Sequence, residues 1–493
     1  MALPLLFLCL LWPLSCARAQ TRPAAVAGSF YPADPKELAK VVDDLIGHAP
    51  PPAIEGTVQT LVEPHAGYEF SGGVAAHGYA LVKGKHFDRV VIIAPSHVDG
   101  FSFVSVYNGD AYQTPLGTVP VDKAFCRKIV GGDMVQLSTR GHVIEGERGE
   151  HALEDQLPFL QRTIGDFKLV PIVMGDQSYE ACRRLGLAIA REIKASKGTG
   201  TLIVASSDLS HFHTYDEAVK LDHKTLRAIG EWDYLSMAEN FERRIWEACG
   251  GGPIVAAMIA SERLGAAEPR LMKYANSGDV TGDKSRVVGY SAWAFIKPIK
   301  PLPGGPQFSL TAAEKDGLLK LARESVESAV KDRKLYPDVP VQFESFNQER
   351  GAFVTLKERG ELRGCIGYIS PVRPLAETVR NVAAAAALQD SRFPPVGVDE
   401  LGKLQYEISV LSPLRRVLDT GQIQVGRDGL VMKRDDKLGL LLPQVPVEEH
   451  WDRKTFLEQT CRKAGLPPDA WQEADTDIFS FTAVVFDGPP PAR

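Results

Sequence analysis

Two histidines and one cysteine, far apart along the chain, carry the residue types of a metal site. His65 follows Leu61-Val62-Glu63-Pro64, His97 follows the run Val90 to Ser96, and Cys249 precedes Gly250-Gly251-Gly252-Pro253. A neutral imidazole offers a ring-nitrogen lone pair, and a thiolate offers sulfur. Two nitrogens and one sulfur suit copper, zinc or iron rather than magnesium or calcium. Three protein ligands leave a position open for water, oxygen or substrate. The cysteine is expected just before a helix N-terminus, where the dipole favours the thiolate and lowers its pKa. A third apolar run, Leu202 to Ser207, ends at Asp208, with His211 three residues on. These two can bind the metal, orient a ligating imidazole or act as an acid–base pair that handles protons. Asp208 can equally cap a helix. Tyr68, beside His65 in sequence, joins His151 and Glu154 as residues that can line the pocket. His151 and Glu154 lie at i,i+3 on a helical face predicted over 150–160; a solvated face is the plain alternative. His48, His77, His86, His142, His213 and His223 read as packing or surface residues.

The three runs that end at these residues are short, β-rich and without alternation, the pattern of strands buried on both faces. In open α/β sheets, ligands gather at the carboxyl ends of such strands. Strands are predicted at about 56–63, 89–94, 102–106, 117–121, 168–174, 201–206, 271–275 and 287–297. Helices are predicted between them at about 36–46, 71–82, 178–195, 215–230 and 233–241, and one follows Gly252. The order is largely β-α-β-α. It predicts an α/β fold whose mixed or parallel sheet has helices on both faces. Residues 300–307, Lys-Pro-Leu-Pro-Gly-Gly-Pro-Gln, read as a linker, and ten of the 11 histidines precede it. The expected division is a segment 1–19, a first domain over 20–299, the linker, and a second, α+β domain over 308–493.

Length and composition set the frame. With 493 residues, two or three domains are expected; 44% hydrophobic and 24% charged residues are ordinary for a globular protein. A net charge of −6 gives no support for a nucleic-acid partner. Leu3 to Leu14 is almost wholly apolar, and Ala17-Arg18-Ala19 resembles a cleavage site, so 1–19 reads as a secretory signal peptide. No Lys or Arg precedes its apolar run, and a retained anchor, a lipoprotein cysteine at Cys16 or a misassigned start are the alternatives. No later stretch has the roughly 20 apolar residues of a membrane span. Beyond the signal segment the cysteines are Cys126, Cys182, Cys249, Cys365 and Cys461. Odd in number and widely spaced, they do not form a disulfide framework.

The second domain has its own reactive-looking stretch, Arg363-Gly364-Cys365-Ile366-Gly367. Arg363 can lower the thiol pKa of Cys365 and make it a nucleophile. The plain alternative is a small buried cysteine in a strand, with glycines for close packing.

Several motifs resemble those of known families. Ala25 to Pro32, Pro64-His65-Ala66-Gly67-Tyr68, Ala94 to His97, Glu150-His151 through Leu157-Pro158, Ser206 to His211 and Tyr274 to Asp279 resemble the Memo family, over about residues 20–298. Members resemble class III extradiol dioxygenases in fold, enzymes that hold non-haem iron with two histidines and a carboxylate. By this resemblance His65, His97 and Cys249 match the Memo metal ligands, and Asp208 and His211 match other pocket residues. The resemblance implies iron or copper. The cysteine stands where a dioxygenase has its carboxylate, so ordinary ring cleavage does not follow. Leu362 to Gly367, Asp390 to Pro395 and Gly439 to Val445 resemble the AMMECR family over about 308–486, which names a domain without naming a reaction. The fusion is similar to the AmmeMemoRadiSam grouping and implies a radical SAM protein as partner. Export or a periplasmic location follows if the signal peptide is real, a cytoplasmic one otherwise. The functions expected are a metal-dependent, oxygenase-like redox protein, a module that binds a peptide or small molecule without turnover, or a copper or iron handling protein.

Overall fold

A computed structural model describes residues 20–142, 149–196, 198–299, 308–337, 343–369, 371, 373–473 and 475–488. The expected signal peptide, 1–19, and the expected linker, 300–307, lie outside the described residues. Among the described residues no helix is long and apolar enough to cross a membrane.

The first domain is built on a nine-stranded mixed sheet. Its strands are β1 (Thr57–Glu63), β2 (Arg89–Pro95), β3 (Val104–Tyr107), β4 (Val135–Ser138), β5 (Lys168–Met174), β6 (Thr201–Ser206), β7 (His211–His213), β8 (Glu268–Asn276) and β9 (Val287–Lys297). They lie in the order β7-β9-β1-β6-β2-β5-β3-β4, with β8 also paired to β9. The four central strands β1, β6, β2 and β5 run parallel, with Glu63 opposite Ser206 and Ile93 opposite Ala205. Strand β9 is antiparallel to β1, and β3 to β5. Strand β6 is buried along its whole length, and β2 at all but Arg89. That two-sided burial explains the missing alternation, and each fully buried Val, Leu or Ile contributes about 1.5–3 kcal/mol. Because β1, β6 and β2 are neighbours and parallel, the loops after Glu63, Ser206 and Pro95 leave the sheet at one edge.

Helices cover the sheet: α1 (Tyr68–Tyr79), α2 (Tyr179–Ala195), α3 (Tyr215–Gly230), α4 (Tyr234–Glu242) and α5 (Gly251–Leu264). Ser178 caps α2 by accepting the N–H of Ala181. Gly251 through Ser261 of α5 are all buried, so α5 is a core helix with no solvated stripe. The predicted strand at 117–121 is Gly117–Pro120 and belongs to a separate small sheet with Thr21–Arg22 and Ala111–Thr114. The helical face expected over 150–160 is not formed. The chain turns through 152–155, and the helix spans Gln156–Thr163. The side chain of Glu150 takes the N–H groups of His151 and Ala152, and these bonds hold the backbone in a turn.

The second domain carries a sheet of β10 (Ala352–Glu358), β11 (Glu361–Tyr368), β12 (Leu404–Leu411) and β13 (Ala483–Asp487) in the order β11-β10-β12-β13. Helices α6 (Ala312–Lys331) and α7 (Leu375–Leu388) cover one face, their apolar residues sharing a core with Val354, Leu356 and Ile408. A second four-stranded sheet joins Arg415–Arg416, Gly429–Arg434, Lys437–Leu441 and Asp477–Phe481. This domain docks on α2, α3 and α4, with Glu349 paired to Lys224 and Arg227 and Phe479 against the Tyr234 ring. Leu414, Val431 and Phe479 belong to the same hydrophobic cluster as the first domain's core. Buried Asp477 accepts from Tyr179 Oη and Arg183 Nε, both at 2.7 Å, and pairs with Arg416.

Candidate metal centre

The strand-end loops of β1, β6 and β2 bring His65, Asp208 and His97 together, and the N-terminus of α5 adds Cys249. One ligand atom from each of His65, His97 and Cys249 lies within 4.8 Å of the others.

Hydrogen bonds on the far side of each imidazole decide what it presents. Ser206 Oγ donates its one proton to the Ala152 carbonyl at 2.6 Å and accepts from Gln156 Nε2 at 2.8 Å. Toward His65 Nδ1, 2.8 Å away, it can therefore only accept. His65 carries its proton on Nδ1 and turns the Nε2 lone pair inward, 3.1 Å from Cys249 Sγ. His97 Nδ1 lies 3.0 Å from Glu150 Oε1, a carboxylate that accepts, so its Nε2 lone pair is free as well. Glu150 also takes the backbone N–H of His97. These are the partners that fix tautomer and ring direction in metal-binding histidines.

Burial lowers the His65 pKa well below the ordinary imidazole range, and His97 adds to it. At His97 burial acts the same way, but the hydrogen bond and charge of Glu150 outweigh it and hold the pKa above the ordinary value. Burial would raise Glu150; its bonds with His97 pull it down to about 2. The Cys249 thiol corrects an expectation. Burial and then the Asp208 carboxylate push its pKa well above the ordinary thiol value. The helix dipole does not win, because the sulfur is desolvated beside an acid. Without a cation the sulfur keeps its proton and can share it with His65 Nε2; a metal ion displaces that proton.

Cys249 is held from several directions. Asp208 N–H approaches its sulfur at 3.2 Å. Gln177 donates to the Cys249 carbonyl at 3.0 Å and accepts from Gly252 N–H at 2.8 Å. A Cβ on Gly250 would stand 2.2 Å from the Ser206 carbonyl oxygen, so only glycine lets α5 begin this close to β6.

The remaining pocket residues divide. Asp208 Oδ1 accepts the His65 N–H at 2.9 Å, its pKa is raised by burial, and no helix begins at it. His211 Nδ1 lies 2.8 Å from the Leu209 carbonyl, which leaves Nε2 free. The His151 ring centroid lies 5.4 Å from that of His65 and 4.8 Å from that of His97. Burial and then the His65 and His97 charges lower the His151 pKa to about 3. His97, Glu150 and His151 form a second group with metal-ligand spacing, sharing His97 with the first. Tyr68 lies behind the site, its hydroxyl donating to the Asp155 carbonyl at 2.6 Å. Glu154 does not line the cleft. It is fully buried, pairs with Arg22, and takes the Tyr31 hydroxyl and the N–H groups of Ala25 and Val26. The turn through 152–155 directs it away from His151.

Glu150, Ser206 and Gln156 are the functional residues that residue type and spacing did not single out. Glu150 stands 53 residues from His97 in sequence, and its one visible signal is adjacency to His151.

In the second domain Arg363 does not activate Cys365. Its guanidinium is bound bidentately to Glu400 and to the Pro394 carbonyl. Burial raises the Cys365 thiol; Thr355 Oγ1 lies 3.2 Å from the sulfur, and the positive charge that acts on it is that of Arg392. The five described cysteines are all free.

An α/β domain with two imidazoles and a thiol at the sheet edge, followed by a second α+β domain, is the class that fold and site define. The Memo-like protein family profile matches residues 22–294, and the AMMECR1 profile matches residues 319–486. The MEMO1 family protein MK0963 of Methanopyrus kandleri is 39% identical over 283 residues, covering 56% of this chain and 98% of that protein. A MEMO1 family protein of Methanosarcina mazei is 40% identical over 278 residues, covering 55% of this chain and 98% of that protein. A crystal structure of PH0010 from Pyrococcus horikoshii aligns at 39% identity with a TM-score of 0.37, covering 37% of this chain and 96% of that one. The chain belongs to the Memo family, and it carries an AMMECR1 domain after its Memo domain.

Proposed function

We propose that this chain is a redox-active, oxygenase-like metal protein holding one iron or copper ion, with zinc as the alternative, on His65, His97 and Cys249. The carrying observation is the convergence of three donor atoms within 4.8 Å, two of them lone pairs aimed inward by bonds to Ser206 and Glu150. The donor set fits a soft or borderline metal, and the protonated thiol gives the ion a proton to displace. When bound, such an ion supplies Lewis-acid and redox chemistry at its open coordination position. Asp208 and His211 hold and move protons beside it. Desolvation keeps a proton on Asp208 more readily than on an exposed aspartate, and His211 offers a free Nε2. The AMMECR1 domain, docked on the first domain through Asp477 and Glu349, shapes or delivers the substrate. Fusion of the two domains supports a place in the AmmeMemoRadiSam grouping, with a radical SAM protein as partner, which co-purification tests.

Elemental analysis of protein purified without added metal tests the centre. About one equivalent is expected, falling below about 0.1 in His65→Ala and Cys249→Ser. Metal content unchanged in both variants would end the proposal. Oxygen consumption by metal-loaded protein with cell extract then separates the functions. Uptake that needs both the metal and a small molecule supports the oxygenase. No uptake leaves a binding module, and reversible exchange with a chelator and no product marks metal handling.

A further inference from the structure

Strand β11 is the edge of its sheet and pairs with β10 alone. An unpaired edge offers a row of N–H and C=O groups to any extended chain. At Cys365 that row is blocked by side chains. Asp390 Oδ2 accepts the Cys365 N–H at 2.8 Å, and Arg392 donates to the Cys365 carbonyl at 3.4 Å. In an antiparallel pair, alternate residues turn both backbone groups to the same side. Gly367, two residues on and opposite Phe353, therefore turns its N–H and C=O out of the same edge as Cys365. Among the described residues no group outside the sheet pairs with them.

Where the blocking ends, a cavity begins. Gly367 lines a space of about 380 Å³ at the seam between the two domains. Ligand sites run from roughly 300 to 1,000 Å³ and favour domain interfaces. From the first domain, α4 and its C-cap contribute Leu235, Glu239 and Arg243, spaced by four residues and so on one face. The second domain adds Tyr368, Arg373, Leu414 and Leu438. Arg373 pairs with Glu377 at 3.3 Å, and among the described residues no carboxylate pairs with Arg243. Two arginines against one lining glutamate give the cavity a positive balance, with leucines beside them. We propose that this seam is a peptide-binding groove, in which an extended segment of a partner protein adds to β11 as a further strand at Gly367. Backbone bonds to Gly367 hold the segment in register. Alternation along it sets apolar side chains against Leu235, Leu414 and Leu438 and acidic ones against Arg243 and Arg373. A small anion would use the arginines alone; the open strand edge in the same cavity is what favours a peptide. The cavity shares no residue with the metal centre, so the groove stands apart from the metal proposal.

Fluorescence polarisation of the full chain with a fluorescein-labelled hexapeptide of alternating Val and Asp tests it. One match carries Lys in place of every Asp, and another is N-methylated at every backbone nitrogen. The parent peptide is expected to saturate one site, and each match to bind at least about tenfold more weakly, the loss that goes with one charge-assisted contact or the strand bonds. Arg243→Gln should weaken the parent peptide about tenfold, and Arg243→Lys should recover part of the affinity. Arg243 is exposed, so both variants should melt with the parent protein. Amide exchange read by mass spectrometry should slow over residues 365–369 when the peptide binds and stay unchanged in β13. No saturable binding overturns the proposal. So does equal affinity for the N-methylated match, which marks a contact through side chains without an added strand. Full affinity in Arg243→Gln with unchanged exchange over 365–369 overturns it as well, because the peptide then sits elsewhere.

Discussion

Cys249 and Cys365 look alike in sequence and differ in what surrounds them. Each is a partly buried cysteine beside a glycine, and burial raises the pKa of each. Cys249 faces the Nε2 lone pair of His65, with His97 completing a set of three donors. Cys365 sits in an arrangement that is already satisfied. Its N–H goes to Asp390, Asp390 is bound to Arg392, and Arg363 is occupied by Glu400. A thiol gains chemistry from unsatisfied lone pairs arriving from other parts of the chain, and an adjacent arginine does not supply them once it has its own carboxylate.

The largest expected effect separates the two cysteines directly. Cys249→Ala should lose at least about tenfold of the bound metal, while Cys365→Ala keeps the parent stoichiometry by elemental analysis. Metal lost equally from both variants would erase the distinction. The flanking glycines sharpen it. A Cβ on Gly250 would stand 2.2 Å from the Ser206 carbonyl oxygen, and one on Gly364 would stand 2.2 Å from that of Ala386. Both are backbone contacts that cannot swing aside. Gly250→Ala and Gly364→Ala should each cost about 2 kcal/mol or more, a fall in melting temperature of about 4–8 °C for a domain of this size. Only Gly250→Ala should also lose metal, because it displaces the serine that orients His65.

The same contrast shows what could be read from residues alone. Three apolar runs without alternation identified β1, β2 and β6, and their ends identified His65, His97 and Asp208, because burial on both faces leaves a local signature. The Memo and AMMECR motifs gave the two domains for the same local reason. Glu150 was invisible as a partner of His97 because a hydrogen bond between two loops leaves no spacing pattern. Glu154 was misplaced because helical periodicity ignores the competing hold of Arg22, 132 residues away. The thiol pKa of Cys249 was misjudged because a dipole is legible from a glycine–proline helix start, whereas desolvation beside Asp208 appears only after folding. Arg363 failed likewise, since Glu400 lies 37 residues on.

Glu150→Gln tests whether orientation matters as much as the ligands. The amide oxygen can still accept from His97 Nδ1, but the charge is gone, and the NH2 group is set against the backbone N–H of His97 that the second carboxylate oxygen satisfied. Loss of such a partner typically weakens metal binding about 10–100-fold, with ligand identity intact. A metal affinity within about twofold of the parent would show that β2 alone positions His97.

The smallest effect is a slope. His65 is neutral at pH 7 because burial lowers its pKa, whereas the Cys249 sulfur is protonated because burial and Asp208 raise its own. Metal binding therefore releases the thiol proton, and at the lower pH values also the Nε2 proton of His97, at which burial is outweighed by Glu150; the thiol proton competes until the pH exceeds the thiol pKa in the metal-free protein. Apparent affinity should rise by about tenfold per pH unit between roughly pH 7 and 9. The Cys249→Ser variant, loaded at high metal concentration, should lose that slope, because a serine hydroxyl does not titrate in this range. Cys365→Ser should keep it unchanged. A flat profile in the parent would mean that the sulfur is already a thiolate before metal arrives, and the two cysteines would then differ in charge state as well as in company.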